Sequence, residues 1–330
     1  MRVCVVGGTG NISRSIVRVL LEQGHDVTCF NRGKTGGAAV GARTVLGDRT
    51  ERSAFERAMQ AERFDAAIDM ICFNREDAES SLRAFRGVQQ FVHCSTVCTY
   101  GIQYHWLPVT EDHPLRPITQ YGKRKAEADA FYLEAFHREG FPVTIIKPST
   151  TYGPVIGALR QVAWDFSWID RIRKGKPILV CGDGSAIHQF LHVDDAALGF
   201  VGTLGKPRCI GQSYNLVRSG FTCWADHHRI AMSALGNEVE LVGVPLADLV
   251  ALGVPQVDIC RDIFAHNTCY SNANITRDVP EFVPKVSLVD GLRSVIAEMD
   301  AEGRIPNSDD IEWEDRIIQA QRAVRRSATS

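Results

Sequence analysis

The ten cysteines include no C-x-x-C pair and no Cys/His cluster at metal-ligand spacing; the nearest two are Cys94 and Cys98, inside an apolar stretch. A zinc ribbon or a thioredoxin-like redox pair is therefore excluded, no metal is expected, and the thiols read as buried and reduced. No apolar run reaches the ~20 residues needed to cross a bilayer. No charged segment, apolar core and small-residue cleavage site follow Met1, so a cytoplasmic protein is expected. Charge of one sign is also missing: 37 Lys and Arg against 39 Asp and Glu leave a formal −2. Nucleic acid or an anionic membrane needs a basic excess to bind, and neither is expected as a partner. There is no internal repeat.

What is present is ordinary globular material, 45% hydrophobic and 23% charged, with 28 glycines to supply tight turns. In the first half, short β-rich runs alternate with helical patterns, the signature of a parallel sheet covered on both faces. Strands are expected at Arg2–Val6, Asp26–Phe30, Thr44–Leu46, Ala66–Met70, Gln90–Cys94 and Val143–Lys147. Helices are expected near Ile12–Gln23, Arg52–Gln60, Arg75–Phe85 and Ile118–Arg138. The fold class is α/β, a doubly wound Rossmann-type sheet over 1–155 with a smaller C-terminal α/β substrate lobe over 156–330, some of whose segments return to the sheet. From about Glu312 the pattern is that of a charged, solvated helix.

The stretch Gly7-Gly8-Thr9-Gly10-Asn11-Ile12-Ser13 leaves the first strand and opens a helix, the context a phosphate-binding loop requires. Gly7 permits the turn and Gly10 a close backbone approach to a pyrophosphate at the positive helix end; Ser13 stands where a third glycine is usual. The second strand ends at Asn31, followed by Arg32 and Lys34, where an NAD-preferring protein carries a carboxylate for the ribose. With two cations and no carboxylate, the cofactor reading is NADP or NAD, leaning to NADP. Asp48, after the third strand, is either an adenine contact or a cap for the helix near Arg52.

Tyr121 and Lys125 stand four residues apart on one helical face. An ammonium beside a phenol favours the phenolate and readies it for proton transfer near neutral pH, and the same ammonium can hold a nicotinamide ribose. Ser95 and Thr96, ending an apolar strand, offer a hydroxyl to the reacting oxygen.

These motifs, with Tyr100-Gly101, Lys147-Pro148-Ser149-Thr150-Thr151-Tyr152-Gly153-Pro154 and Phe190-Leu191-His192-Val193-Asp194-Asp195, resemble in order and spacing the NAD-dependent epimerase/dehydratase family of extended short-chain dehydrogenase/reductases, from residue 1 to about residue 300. The resemblance implies Thr96, Tyr121 and Lys125 as the catalytic set, with Ser95 as the neighbouring alternative to Thr96. It implies a cofactor held by Gly7, Thr9, Gly10, Asn11, Ile12, Asn31, Arg32, Lys34, Asp48, Arg49, Ser95, Tyr121, Lys125 and Pro148. Substrate is expected at Thr96, Val97, Thr150, Thr151 and His188. Phe30-Asn31-Arg32-Gly33 and Gly47-Asp48-Arg49 also resemble a branch that includes plastid stem-loop RNA-binding proteins, which gives an RNA-binding alternative. A homodimer paired through the Tyr121 helix and its neighbour near Arg75–Phe85 is a further implication.

Family members resembling 4,6-dehydratases carry an acid after the catalytic hydroxyl; here Val97 and Cys98 follow, which disfavours dehydration. The expected reaction is a sugar epimerisation, by transient oxidation to a ketone and re-reduction, on a nucleotide sugar or a related sugar. The alternative is an NADP-dependent reductase or dehydrogenase acting on a sugar, cyclitol or other small molecule. His188 replaces the arginine that family members place near a diphosphate, and Lys147, Arg160, Arg171 and Arg173 are cations able to compensate. Asp194 and Asp195 read as helix caps after His192, and His227-His228 as packing or surface.

Overall fold

A computed structural model describes residues 1–34, 36 and 40–329, with 325–329 as helical backbone only. The chain forms two units, the first made of Met1–Thr151, Leu191–Ser219 and Tyr270–Lys285. Its centre is a seven-stranded sheet. Six strands follow one another along the chain: β1 (Arg2–Val6), β2 (Asp26–Asn31), β3 (Arg43–Leu46), β4 (Ala66–Asp69), β5 (Gln90–Cys94) and β6 (Val143–Pro148). The seventh, Ser213–Leu216, pairs with β6 at one edge, so the order runs from it through β6, β5, β4, β1 and β2 to β3, with every pairing parallel. The order reverses at β1, which puts the chain's first turn at the point where such sheets leave a crevice.

The central strands are apolar on both faces because helices cover both. On one face α1 (Asn11–Glu22) packs with the helix Val193–Gly202 through Ile16, Val17, Leu20, Ala196, Ala197 and Phe200. On the other, α2 (Arg52–Gln60), α3 (Arg75–Ala84) and α4 (Gln120–Glu139) enclose Phe30, Phe55, Phe85, Phe91 and Tyr132. The helix starts are locally encoded: Asn74 accepts from the Asp77 N–H at α3 and Thr119 from the Gly122 N–H at α4. Gly140 ends α4 in the left-handed conformation, φ 71°.

The second unit comprises Tyr152–Phe190, Gly220–Cys269 and Val286–Ser330. Two parallel strands, Ile178–Cys181 and Leu241–Val244, accompany helices at Ser167–Arg173, Trp224–Leu235, Leu288–Ala301 and Trp313–Thr329. The last helix corrects the expectation of a solvated tail at its start, because Glu314, Ile317 and Ile318 are buried. Arg160 forks onto Glu314, whose Oε1 also accepts the Leu179 N–H at 2.8 Å.

Candidate active site

The first unit gathers most of the motif residues at the C-terminal ends of its strands. Gly7 turns the chain at φ 85°, and a methyl there would lie 2.6 Å from Ile71 Cγ2; a methyl on Gly8 would lie 2.6 Å from Cys29 Sγ. Both glycines are therefore required by close approach, Gly8 as much as the two the spacing singles out. Ser13 has a use beyond its small size: its hydroxyl donates to the Gly7 carbonyl at 2.6 Å and accepts the Gly10 N–H at 2.8 Å. The Gly10 N–H is thus engaged within the loop, at the N-terminal end of α1, where a helix presents its positive end.

At the end of β2, Asn31 is buried, and neither its carboxamide oxygen nor its nitrogen meets a partner among the described residues. Burying such a group unpaired costs about 1–3 kcal/mol, and a ligand hydroxyl would restore the bonds. The glycine cradle and this orphaned amide fit a dinucleotide; Arg32, next to Asn31, and Lys34 are both exposed. Asp48 neither caps α2 nor is free of local bonds: its Oδ1 accepts the Thr50 N–H and hydroxyl at 2.9 and 2.8 Å. Those bonds hold its carboxyl below the usual range.

Lys125 is buried in α4 and donates to the carbonyls of Cys72 and Cys94 at 2.7 and 2.6 Å, leaving one of its three N–H donors outside these bonds. Its Nζ lies 5.0 Å from the centroid of the exposed Phe73 ring and 5.9 Å from that of Tyr121. Tyr121 is half exposed; desolvation of its hydroxyl raises the phenol above its ordinary value, and a bond with Thr96 pulls the other way. The spacing argument expects a lowered phenol, whereas here burial raises it.

Ser95 and Thr96 divide cleanly. Ser95 turns inward and donates to Asp129 at 2.8 Å, which removes it from the cofactor and the reacting oxygen alike, while Thr96 caps the turn Val97–Tyr100 by accepting the Cys98 N–H and lies close enough to Tyr121 to lower its pKa. Beneath them Asp129, one turn after Lys125, pairs with Lys147, and His93 lies 3.3 Å away; Lys147 holds Asp129 down to about 2 against the burial that would raise it.

Several expectations are corrected. Arg49 does not face a cofactor: buried, it forks onto Asp69 at 2.9 and 3.0 Å. Val97, expected at the substrate, turns into a satellite core with Tyr100, Val109 and Tyr270. His188 is sealed in the second unit's core against Trp224 and Phe264, and burial drives its pKa down to about 3, so it carries no charge for a diphosphate. The compensating cations are also engaged: Lys147 on Asp129, Arg160 on Glu314, Arg171 on Asp315 and Arg173 on Asp300. His192 itself caps the following helix, taking the Asp194 N–H, while Asp194 bonds Ser15 and Asp195 the Lys285 N–H. Pro148 is buried at the end of β6, and Thr150 and Thr151 are half-buried beyond it.

Residues 3–216 match the NAD dependent epimerase/dehydratase family. Among curated proteins, the chain is 30% identical over 246 residues to a 2'-dehydrokanamycin reductase of Streptomyces kanamyceticus, covering 74% of this chain and 70% of that protein. It is 28% identical over 229 residues to the chloroplast stem-loop binding protein of 41 kDa b of Arabidopsis thaliana, covering 65% and 58%. Among solved structures, the UDP-glucose-4-epimerase of Stenotrophomonas maltophila with bound NAD and formylated UDP-arabinopyranose superposes with a TM-score of 0.76 at 21% identity, over 92% of this chain and 99% of that one. The match across the glycine loop, the Tyr121/Lys125 helix and all seven strands of the sheet places this chain in the NAD-dependent epimerase/dehydratase family.

Proposed function

We propose that the protein interconverts a secondary alcohol and a ketone on a sugar or a sugar-like ring. The observation that carries this reading is the arrangement of Thr96, Tyr121 and Lys125: a hydroxyl close enough to lower the phenol's pKa, and on the phenol's own helix an ammonium fixed by two carbonyls. A nicotinamide dinucleotide, when bound, supplies the hydride acceptor or donor. Tyr121 takes the hydroxyl proton on oxidation and returns it on reduction, Thr96 orients the substrate oxygen, and the remaining Lys125 donor serves the cofactor ribose and the phenolate. The α1 loop, Asn31, Arg32 and Lys34 hold the dinucleotide, and the two cations favour NADP. Tyr121→Phe removes the proton carrier while leaving the dinucleotide cradle, and turnover should fall at least a hundredfold with cofactor binding retained. Unchanged turnover would sink the assignment.

Epimerisation, with the ketone re-reduced on its other face, is the first form of this reaction. The reductase form, on a sugar without a nucleotide, is favoured by the inward pairing of Arg160, Arg171 and Lys147 and by the likeness to the dehydrokanamycin reductase. Mass spectrometry of cofactor released from the purified protein separates them: stoichiometric retained dinucleotide supports the epimerase, reversible uptake by an empty protein the reductase. The 2'-phosphate is read in the same spectrum. The setting we propose is a cytoplasmic homodimer paired through α3 and α4, with a small-molecule substrate and no nucleic acid; sedimentation measures the first and salt-dependent RNA retention the second.

A further inference from the structure

Arg49 is buried and lies after β3; its guanidinium lies 5.4 Å from the centroid of the Phe55 ring, and its hydrogen bonds lead toward the segment that carries Cys72 and the helix after it. One guanidinium nitrogen forks onto Asp69 at 3.0 and 2.9 Å, and the other donates to the Asp77 carbonyl and the Ser81 hydroxyl, each at 2.9 Å. Ser81 closes the ring by donating to Asp69 at 2.6 Å, and Arg49 Nε lies 3.7 Å from Asp77 Oδ1. The two carboxylates have a second task. Asp69 accepts the Ile71 N–H at 3.0 Å, and Asp77 accepts the Phe73 N–H at 3.0 Å. The amides on either side of Cys72 are therefore both pinned by acids that Arg49 holds. Between them, Cys72 presents its carbonyl to the Lys125 ammonium at 2.7 Å. Ile71, in the same segment, fills the space a side chain at Gly7 would need.

We propose that Arg49 is a positioning residue for Lys125: through Asp69 and Asp77 it sets the Cys72 carbonyl, and that carbonyl aims the ammonium. This rests on the reading of Tyr121 and Lys125 as the proton-transfer pair. A free carbonyl in a loop of this kind would shift with its flanking amides, and Lys125 would follow it; the buried guanidinium, with its planar fork, removes that freedom in a way a single ammonium cannot. The cost is a buried ion cluster distant in sequence from the residue it serves.

The test reads the Tyr121 phenol directly, by ultraviolet difference titration of each protein against its Tyr121→Phe counterpart, with saturating NADP and again with NAD. Lys125→Met should raise the titration midpoint by about one pH unit or more. Arg49→Met should raise it in the same direction, and Arg49→Lys, which keeps the charge and loses the fork, by less. The other titratable groups facing the phenol, Cys94, Cys98 and Asp129, are the same throughout. Val3→Ala, in the core at the far end of β1, controls for lost stability and should leave the midpoint in place. If Lys125→Met moves the midpoint and the folded Arg49 variants do not, Arg49 is only a structural ion pair and the inference fails. If Lys125→Met itself has no effect, the reading of the proton-transfer pair fails instead. Should Arg49→Met not fold, Arg49→Lys decides alone, a midpoint equal to wild type overturning the proposal.

Discussion

Two regions of this protein bury titratable side chains at similar depth and treat them in opposite ways. Beneath the candidate site, Asp129 is paired with Lys147 and Asp69 with Arg49, so that each of these buried groups has one of opposite sign in contact. In the second unit, His188, His227 and His228 are packed among Trp168, Phe190, Trp224 and Phe264, and burial lowers all three pKa values. The charged region gains direction: a paired ion holds its hydrogen bonds at fixed angles, which suits groups that must aim Lys125 and Thr96. The histidine region gains filled space and a neutral hydrogen bond per ring, His227 to the Leu159 carbonyl, His228 to the Trp224 carbonyl and His188 to Thr268.

The comparison can be broken most forcefully at Asp129. Asp129→Ala leaves the Lys147 ammonium buried without its counter-ion and should cost about 3–5 kcal/mol, read from the urea midpoint. A loss within about 1 kcal/mol would mean that the cluster is solvated and the contrast is false. Acid gives the next effect. The histidines have folded pKa values below the unfolded ~6.5, so their contribution is complete above that pH and is lost as pH falls toward about 4 for His227 and about 3 for His188. At pH 4.5 each costs roughly 2–3 kcal/mol. Asp129, depressed to about 2, contributes above the ordinary carboxylate range and is lost only as pH falls below it toward 2. Trp164, Trp168, Trp224 and Trp313 belong to the second unit and Trp106 to the first, so tryptophan fluorescence follows the histidine region and should change between pH 6 and 4. A single transition below pH 4 would contradict the lowered histidines. His228→Leu should produce the smallest effect, about 1 kcal/mol at pH 7, since it gives up one hydrogen bond, from Nδ1 to the Trp224 carbonyl at 2.6 Å, and Nε2 has no partner among the described residues. The same variant should shift the acid transition to lower pH.

Much of the fold was legible because its signals are local. The helix Arg52–Gln60 and the strands Arg2–Val6 and Gln90–Cys94 lie where the periodicity puts them, and Asn74, Thr119 and Gly140 mark helix ends by bonds that span a few residues. The candidate site was legible in part. The glycine loop and the Tyr121/Lys125 spacing are short patterns, and the burial and contacts of those residues agree with a common location on the first unit. Arg49, Val97 and His188 were misread because a motif position says nothing about which way a side chain turns. Arg49 meets Asp69 across twenty positions, and Arg160 meets Glu314 across 154.

By itself, then, the sequence determined the order of strands and helices, the phosphate turn and the pairing of a phenol with an ammonium along one helix, since each depends on backbone preferences and on side chains within a turn or two. Tertiary structure decided that Ser95 turns inward to Asp129 and leaves Thr96 as the hydroxyl near Tyr121, that 191–219 and 270–285 join the first unit, and that the cations able to meet a diphosphate are taken up by carboxylates. The reason is electrostatic. A buried charge must find an opposite one wherever the chain brings it, and that partner is chosen by packing across the fold, which no local pattern records.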